Sequence, residues 1–445
     1  MKLSDCCLKI GSGATPRGGK SSYLEEGPFS LIRSQNIHNN LFARAGLAFI
    51  SDEQAKQLQN VDVQPNDVLL NITGDSVARV CQVPEDVLPA RVNQHVAIIR
   101  PDSSKLIHKY LHYFLVNPKM QTYMLNLASA GATRNALTKG MIESFEVPAT
   151  SIDEQKAIAS VLGALDDKIE NNRQMNETLE ELARAIFKSW FVDFDPVHAK
   201  AAGNAPAHMD AETAALFPSS FGDDGLPVGW ETSNFEDLIE FRNGYAFKSK
   251  ELSKDLKSDF AIFKMGHIKV GGGFNPNYKT DHLIPKASPK MKEFILKTGD
   301  ILMSMTDMKD NVRLLGHTAL FYEKDANFLV NQRVGLIKAK KEITNYPYIY
   351  CLTNNQTFLY EIRKRANSGV QVNLSTVGIK TTPTIMPPLS LMAKFGSLSI
   401  PIFERIFESE RESKTLAELR DTLLPKLMSG EIRVADAERE VEAAI

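Results

Sequence analysis

The feature that most constrains this chain of 445 residues is an internal repeat. The segment Val92–Val96 (Val-Asn-Gln-His-Val) recurs 238 residues later as Val330–Val334 (Val-Asn-Gln-Arg-Val). Further matches follow in the same order: 66–69 with 299–302, Gly131 and Asn135 with Gly369 and Asn373, and 178–182 with 415–419. A repeat of this length indicates that one structural unit is present twice, with small insertions between the matches.

Each copy combines a strand-rich part with a long helical part. Residues 1–150 and 231–389 contain short apolar segments separated by Gly, Pro and Asn, which is typical of mixed α/β domains, with helices near 106–123 and 346–365. Residues 151–191 and 390–430 are predicted as long helices. The sequence therefore predicts an α/β protein in which two mixed α/β domains are separated by two long helices, with a linker at 192–230 and a C-terminal tail at 431–445.

The two long helices carry heptad-like spacing with a polar centre. Ser151-x-x-Glu154 is a capping box that starts the first helix, and Pro401 predicts a kink or a late start in the second. Antiparallel coiled-coil pairing around a pseudo-two-fold axis is the favoured interpretation, and separate amphipathic helices, each packed on its own domain, are the alternative. The predicted core positions are Ile158, Leu165, Asn172, Leu179 and Ile186 in the first helix and Ile402, Ser409, Leu416 and Leu423 in the second.

The net charge of −2 argues against a nucleic-acid binder only when it is averaged over the chain. Residues 1–150 carry +2 and residues 231–389 carry +7, whereas residues 151–200 carry −4, residues 201–230 carry −4 and residues 390–445 carry −3. Nucleic-acid binding requires a basic face rather than a basic chain. The two α/β domains are therefore the predicted binding parts.

The enzyme motifs that the sequence suggests do not fit their patterns. The Gly-rich segment 13–21 has five residues, instead of four, before its Gly-Lys pair, and it contains Pro16. His108 and His112 have the spacing of a metal-binding helix face but lack a third ligand, so packing is the favoured interpretation. The tripeptide 195–197 lacks the second Pro and the aromatic residue of an amino-methyltransferase loop. We expect no catalytic machinery and no metal site in this chain.

Five local segments resemble the specificity (S) subunit of Type I restriction–modification enzymes. Segment 10–16 resembles the opening of a target recognition domain, and Leu226–Trp230 resembles the lead-in to the second one. Segments 152–158 and 189–196 resemble the start and end of the central spacer helix, and 423–430 resembles the end of the C-terminal one. The resemblance covers essentially the whole chain, although the second helix has Leu391–Phe395 where Glu-Gln is typical and the first domain lacks a Pro-x-Gly-Trp lead-in.

The resemblance implies a non-catalytic, cytoplasmic DNA-binding subunit that acts in phage defence. Each target recognition domain would read one half of a bipartite, asymmetric site in double-stranded DNA, and the paired helices would set the spacing. Two methyltransferase (modification) subunits and the restriction subunits would be its partners. The cofactors S-adenosylmethionine, ATP and Mg would be used by those partners and not bound by this chain, and no membrane is involved.

Loop residues that can pair with base edges or phosphates are the predicted DNA contacts. Asn93-Gln94 and Asn331-Gln332 recur in both halves and are therefore assigned to the shared framework. The predicted contacts are Arg17, Lys20, Arg33, Gln35, Asn36, Arg79 and Arg134 in the first domain and Lys248, Lys264, His267, Lys309, Asn311, Arg313 and Gln371 in the second.

Three alternatives stay open on sequence alone. The chain could be the specificity subunit of a related modification-only defence system, a self-contained DNA methyltransferase or other enzyme, or a scaffold without a DNA role. The recognised DNA sequence and the spacer length cannot be read from the chain.

Overall fold

The computed structural model describes residues 1–129, 135–256, 258–275, 278–308, 312–322, 326–368 and 371–445. The described chain divides into two units, one formed by residues 1–173 with 410–445 and the other by residues 174–409. Both divisions fall inside the long helices, so each unit contains one strand-rich domain and a segment of each long helix.

The described strands of the first domain form two sheets and a short hairpin. The first sheet has the order β1-β10-β7-β8 and is antiparallel; the second has the order β5-β2-β9-β6, in which β2 and β9 are parallel; β3 and β4 form the hairpin. These strands are β1 (Cys7–Ser12), β2 (Phe29–Ile32), β3 (Ile37–His38), β4 (Leu41–Phe42), β5 (Ala48–Ile50), β6 (Asp62–Val63), β7 (Val68–Asn71), β8 (Val80–Gln82), β9 (Ala90–Val92) and β10 (Val96–Pro101).

The second domain repeats this topology. Its described strands are β11 (Glu231–Asn234), β12 (Ile239–Asn243), β13 (Leu252–Ser253), β14 (Phe260–Phe263), β15 (Asp281–Leu283), β16 (Ile301–Ser304), β17 (Thr306–Met308), β18 (Thr318–Leu320), β19 (Asn327–Val330), β20 (Val334–Ala339), β21 (Asn367–Ser368), β22 (Gln371–Asn373) and β23 (Pro383–Met386). The sheet β12-β20-β16-β18 corresponds to β1-β10-β7-β8, and the parallel pair β14–β19 corresponds to β2–β9. The described residues add a sheet β17-β22-β21 and a pair β11-β23. The predicted duplication and the mixed α/β class are confirmed.

The helices account for the rest of the regular structure. They are α1 (Leu3–Cys6), α2 (Asp52–Gln57), α3 (His108–Val116), α4 (Pro118–Ser129), α5 (Lys139–Glu143), α6 (Ile152–Phe191), α7 (Asp195–Ala201), α8 (Ala211–Ala215), α9 (Phe235–Leu238), α10 (Pro289–Lys292), α11 (Tyr346–Thr353), α12 (Gln356–Arg363), α13 (Thr376–Lys380), α14 (Leu389–Ser429) and α15 (Val434–Glu442). No helix of the described chain is long and apolar enough to cross a membrane.

The helices predicted near 106–123 and 346–365 are each split into two. Asn117 precedes Pro118, which restricts Asn117 to an extended conformation, and its Oδ1 accepts a hydrogen bond from Lys119 N (3.0 Å). In the second domain Asn355 caps α12 in the same way, accepting from Thr357 N (2.9 Å). Both breaks therefore follow from an Asn cap that the periodicity alone did not indicate.

The prediction of a late start at Pro401 is wrong, because α14 runs unbroken from Leu389 to Ser429. Proline removes one backbone donor, which leaves the carbonyl of Ser397 without its helical partner. Ser397 and Pro401 are both exposed, so water can satisfy that carbonyl. The cost of the proline is thereby kept small.

The linker and the tail are packed rather than bare. In the linker, Val197 and Phe217 are buried in the core of the second unit, where Phe217 contacts Trp190 at 5.2 Å between ring centroids. In the tail, Ala437 and Val441 of α15 are buried in the core of the first unit. Both segments therefore belong to the folded units. The sequence did not indicate this packing, because the apolar residues are scattered among Ala, Pro and charged residues.

A glycine at the end of the first strand lets two loops meet in each domain. A Cβ on Gly13 would lie well inside 3.0 Å of the carbonyl oxygens of Val92 and Asn93, and one on Gly244 would overlap the carbonyl of Asn331 in the same way. Gly13 N donates to Val96 O (2.8 Å), and Gly244 N donates to Val334 O (3.1 Å). Glycine is thus required where this loop packs on the turn that joins β9 to β10 in the first domain and β19 to β20 in the second.

We expect Gly13→Ala to destabilise the first domain, because the added methyl group must displace backbone rather than a flexible side chain. The expected loss is about 1–3 kcal/mol in the free energy of unfolding, measured by urea or thermal unfolding. Gly11→Ala is the matched control, since a Cβ on Gly11 meets nothing within 4 Å. Equal stability of the two variants would contradict the close approach.

Candidate nucleic-acid interface

Strand register brings four loops of the first domain to one edge. Ser12 at the end of β1 pairs with Ala97, Val96 pairs with Asn71 at the end of β7, and Leu70 pairs with Val80 at the start of β8. Ile32 pairs with Val92 at the ends of the parallel strands β2 and β9. Loops 13–22, 33–36, 72–79 and 93–95 therefore leave their strands on the same side, and we call them the first edge.

The same register forms a second edge in the second domain. Asn243 at the end of β12 pairs with Gly335, and Ser304 at the end of β16 pairs with Val334. Phe263 pairs with Val330 at the ends of the parallel strands β14 and β19. Loops 244–248, 264–267, 331–333 and the segment 305–317, of which 305–308 and 312–317 are described, form the second edge.

The first edge contains every predicted contact of the first domain that the structure describes. Arg17 and Lys20 are exposed on loop 13–22. The guanidinium of Arg33 and the amide of Gln35 both donate to the carbonyl of Gly46, at 2.5 and 3.0 Å. Arg79 is half-buried with Nη1 3.5 Å from His38 Nδ1, while Arg134 lies outside the described residues.

The second edge also brings together the described predicted contacts of the second domain, but they differ in exposure. Lys248, Arg313 and Gln371 are exposed, and Gln371 reaches this edge because its strand β22 pairs with β17. Lys264 instead forms an ion pair with the buried carboxylate of Asp281 at 2.7 Å. Lys309 and Asn311 lie outside the described residues.

Asn36 and His267 occupy equivalent buried positions, so we withdraw both from the set of predicted DNA contacts. Asn36 is fully buried; its Oδ1 accepts from Arg33 N (3.0 Å) and its Nδ2 donates to Ala43 O (2.9 Å). His267 is 1% exposed, and its Nδ1 accepts from Lys264 N (3.0 Å). Each side chain caps the one-turn helix that follows the central parallel strand. Because the side chain is buried, its polar atoms are not available to contact a base.

The buried position of His267 holds the ring neutral. Because Nδ1 accepts the bond from Lys264 N, the proton lies on Nε2, which is 3.1 Å from Thr280 Oγ1. Burial lowers the pKa of His267 to about 4. The ring therefore serves as a cap and not as a cation at this edge.

Both edges are basic and carry exposed polar residues that the sequence analysis did not select. By sequence, the first edge has Arg17, Lys20, Arg33 and Arg79 against Asp75. The second has Lys248, Lys264, Lys309, Arg313 and Arg333 against Asp307 and Asp310, so each edge carries a formal charge of +3. Gln94, Gln332 and Arg333 are exposed at the tips of the repeated turns. The recurrence of the two glutamines was the available signal, and it was assigned to the framework, whereas Arg333 stands where the first domain has His95.

Asn93 and Asn331 do have the framework role that their recurrence predicts. The side-chain Oδ1 of Asn93 accepts from His95 N (3.1 Å), and that of Asn331 accepts from Arg333 N (3.3 Å). An Asx turn of this kind fixes a tight connection between neighbouring strands. The turn backbone is therefore the same in both domains.

The long helices pair within each unit. In the first unit, the early part of α6 shares one core with the late part of α14, and in the second unit the late part of α6 shares a core with the early part of α14. This order is antiparallel, as predicted. The shared core consists of Ile158, Val161, Leu162 and Leu165 with Leu416, Leu423, Leu424 and Leu427 in the first unit, and of Ala183, Phe187, Trp190 and Phe191 with Leu391, Met392, Phe395, Phe403 and Phe407 in the second.

The seven-residue series predicted for the core slips along each helix. Ile158, Leu165, Asn172, Ser409, Leu416 and Leu423 are buried as predicted, but Leu179, Ile186 and Ile402 are only half-buried. Later in α6 the buried seven-residue series is Asn176, Ala183 and Trp190, and Phe187 and Phe191 are buried beside it. A straight helix of 3.6 residues per turn drifts by about 20° per heptad, which moves the packed stripe to neighbouring positions.

Polar contacts fix the register of the pair in the first unit. Asn172 Nδ2 donates to Glu412 Oε2 (2.7 Å) and to Ser413 Oγ (3.2 Å). Arg420 Nη1 donates to Asp166 Oδ1 (2.6 Å), and the hydroxyl of Tyr113 donates to the other oxygen of Asp166 (2.6 Å). Because Asn172 and Asp166 each bond to fixed positions on α14, sliding α14 along α6 breaks these bonds, whereas the Tyr113 bond holds α3 to α6.

The two histidines with metal-ligand spacing are occupied by packing contacts. His108 Nδ1 is 2.7 Å from Gln82 Nε2, and His112, buried in the first unit, has Nε2 2.8 Å from Asn40 Oδ1. Burial lowers the pKa of His112 to about 4. No group of three or more His, Cys, Asp or Glu side chains suited to a metal ion occurs in the part of the chain that the structure describes.

Two topologically equivalent domains with differently equipped loop edges, and paired helices in each unit, define a tandem recognition protein. Residues 1–181 and 227–394 match the family described as the Type I restriction modification DNA specificity domain. The chain therefore belongs to this family of Type I specificity subunits, as the local segments suggested.

Individual relatives carry the same family name, and a solved structure has the same fold. The chain is 27% identical over 361 residues to the Type I restriction enzyme MjaIX specificity subunit of Methanocaldococcus jannaschii, covering 78% of this chain and 74% of the relative. It is 26% identical over 450 residues to the HindI specificity subunit of Haemophilus influenzae, covering 90% and 94%. A Type I S subunit from M. genitalium has the same fold, with a TM-score of 0.51, 16% identity and coverage of 96% and 95%.

We expect Arg420→Ala to destabilise the first unit, because it removes the helix-to-helix bond to a carboxylate that is mostly buried. The side chains of Arg420 and Asp166 are 11% and 24% exposed. The expected loss is about 1–3 kcal/mol in the free energy of unfolding. Arg405→Ala, on the same helix and 50% exposed, is the control and should change stability by less than about 0.5 kcal/mol. Equal losses would contradict the proposed role of the pair.

We expect His267→Asn to remove part of the acid sensitivity of the second domain. The pKa of His267 is about 4 when folded against about 6.5 when unfolded, so the unfolded chain binds the extra proton between these values. The wild type should lose roughly 1–3 kcal/mol of stability through this group as the pH falls from about 6.5 to 4, whereas the variant should not.

Asparagine is chosen because Asn36 fills the equivalent cap in the first domain. The control is His208→Asn at an exposed position in the linker. The measurement is urea unfolding at a series of pH values, and a difference between His267→Asn and wild type that does not vary with pH would contradict the neutral buried ring.

Proposed function

We propose that the chain is the DNA sequence-recognition subunit of a Type I restriction–modification complex. It reads a bipartite, asymmetric site in double-stranded DNA, with the first edge on one half-site and the second edge on the other. The observation that carries this proposal is the presence of two basic loop edges on the same sheet framework. Basic loops at a sheet edge supply the phosphate contacts and the polar side chains that DNA reading needs.

The two edges differ where a reader of two unlike half-sites must differ. The connection 72–79 of the first domain is a short loop, whereas the corresponding segment 305–317 carries β17 and pairs with β22. Arg33 of the first edge corresponds to Lys264, which is paired with Asp281. A shared framework with unlike loop chemistry explains an asymmetric site better than a palindromic one.

The paired helices are the proposed docking region for partners. Two methyltransferase (modification) subunits bind there and on the domains, and restriction subunits join them, in the cytoplasm. The chain itself is non-catalytic in this proposal; S-adenosylmethionine, ATP and Mg are used by the partner subunits. The names of the relatives, all specificity subunits of Type I enzymes, support this assignment.

The proposed base and phosphate contacts are the predicted residues that remain accessible. Lys264 is assigned to its ion pair with Asp281, and Asn36 and His267 to their caps. Arg134, Lys309 and Asn311 lie outside the described residues and stay predictions. The remaining proposed contacts are Arg17, Lys20, Arg33, Gln35, Arg79, Lys248, Arg313 and Gln371.

Two other functions are separated from this one by direct assays. A modification-only defence system differs in its partners, so DNA cleavage by the assembled complex distinguishes it. A self-contained methyltransferase would transfer a labelled methyl group from S-adenosylmethionine to DNA without a partner. Transfer by the purified chain alone would contradict the proposed function.

We expect methylation sequencing of the host genome to reveal a split motif. The substitution Arg313→Ala should then affect the recognition of one half of that motif. Arg313 is exposed on the second edge, so its loss should weaken binding about five- to 100-fold or relax one position of that half-site. The measurement is selection from a library of duplexes by the chain with its modification partner. Arg439→Ala, 76% exposed on α15, is the control. Relaxation of both half-sites would contradict one domain per half-site.

A further inference from the structure

The repeated turn presents an exposed glutamine in both domains. Asn93 and Asn331 hold the turn backbone in the same conformation, and the next residue, Gln94 or Gln332, is exposed at the tip. A framework role explains the asparagines, whose side chains bond within the turn. It does not explain why the exposed position is glutamine twice.

The neighbouring loop adds a cation at an equivalent place. Gly13 and Gly244 allow their loops to pack directly on the carbonyls of the turn, and the backbone bonds Ala14 N to Val92 O (3.1 Å) and Tyr245 N to Val330 O (2.8 Å) repeat this contact. Four residues after the glycine stands Arg17 in one domain and Lys248 in the other, and both are exposed.

The amide of Gln94 is held in place and retains hydrogen-bonding capacity. Its Oε1 accepts from the hydroxyl of Thr15 on the neighbouring loop, and its Nε2 lies 3.0 Å from His95 Nε2. The ring of His95 is bound in turn by Thr73 Oγ1 at 2.6 Å. An amide nitrogen has two donors, so one N–H of Gln94 is without a partner among the described residues.

Other equivalent positions of the two edges are unlike. Asn36 corresponds to His267 in the buried caps, and at the strand ends Asn71 corresponds to Ser304 and Arg79 to His317. If the two half-sites differ, residues that recur at both edges must contact what the half-sites have in common. Every half-site has the same sugar-phosphate backbone, and its oxygens accept hydrogen bonds from amides and cations.

We infer that Gln94 with Arg17, and Gln332 with Lys248, form one phosphate-binding pair in each domain that positions the DNA backbone without selecting its sequence. This assignment rests on the proposed function, and it corrects our expectation that both residues of the Asn-Gln pair belong to the framework. In each domain the close-approach glycine packs the loop that carries the cation against the turn that carries the amide.

The test measures binding of the full chain, with its modification partner, to its cognate duplex and to single-base variants of that duplex over a range of salt concentrations. Gln94→Ala and Gln332→Ala should each weaken binding about five-fold on all duplexes, the loss of roughly one hydrogen bond. Arg17→Ala and Lys248→Ala should also lower the slope of log affinity against log salt by about 1.

Matched controls separate this pair from general surface effects. Gln57→Ala removes an exposed glutamine on α2, which follows β5 at the opposite end of its sheet, and Arg439→Ala removes an exposed cation on α15. Both should bind as wild type does. Unfolding curves identify any variant that has lost its fold, and Gln94→Glu, which keeps the shape but repels phosphate, should then bind more weakly than Gln94→Ala.

The outcomes distinguish this inference from the proposed function. If wild type binds no specific duplex, the proposed function fails and this assignment fails with it. If wild type binds specifically but the glutamine variants bind equally well, only the phosphate-binding pair is overturned. A change of base preference at one position in either glutamine variant also overturns it, because that result assigns glutamine to base reading.

Discussion

The packing of the two long helices against each other holds the protein together. The first unit contains both ends of the chain, residues 1–173 and 410–445, and its core joins leucines of α14 to aliphatic residues of α6. A buried leucine contributes about 1.5–3 kcal/mol relative to an exposed one. Without the aliphatic residues of α6, the late part of α14 would lose much of its apolar packing in the first unit.

Polar groups within that core determine which pairing is formed. An apolar stripe alone permits several registers, whereas the bonds from Asn172 to Glu412 and from Arg420 to Asp166 exist in one. The link from Asp166 to Tyr113 ties the register to α3, which packs on the first sheet. Helix register and domain position are therefore coupled within the first unit, an arrangement consistent with the proposed role of its loops.

The loop edges follow from strand order rather than from loop sequence. Because β1, β7, β8 and β10 are neighbours in one sheet and β2 is parallel to β9, their connecting loops leave at a common side. The second domain repeats the order with different loop residues. This arrangement separates stability, which resides in the shared sheets, from the proposed recognition, which we assign to loops that can vary without disturbing the core.

Much of the fold could be predicted because the repeat and the periodicity are local properties. The cap at Ser151, whose Oγ accepts from Glu154 N (3.2 Å), the buried positions Ile158 and Leu165, and the mixed α/β class required only spacing and residue type. The breaks at Asn117 and Asn355 were not predicted. An asparagine inside a stretch with helical periodicity can either continue the helix or cap it, and the spacing does not distinguish the two.

The site was predicted less well, since residue type does not reveal what a side chain contacts. Asn36 and His267 have the chemistry of DNA-reading residues, but tertiary packing uses their polar atoms to cap one-turn helices. Lys264 similarly forms an ion pair with Asp281, a strand residue 17 positions later in the chain. Only the folding of the sheet brings these two residues together. Gln94 was assigned to the framework because recurrence does not distinguish a buried side chain from an exposed one.

The sequence by itself determined the duplication, the mixed α/β class, the two long helices and the family, because these depend on repeats, periodicity and local segments. Only the tertiary structure decided which polar residues remain accessible, where the helical stripe slips, and that Gly13 and Gly244 let one loop pack on the repeated turn. These properties depend on contacts between residues far apart in the chain, and close packing admits a side chain only where its neighbours leave room.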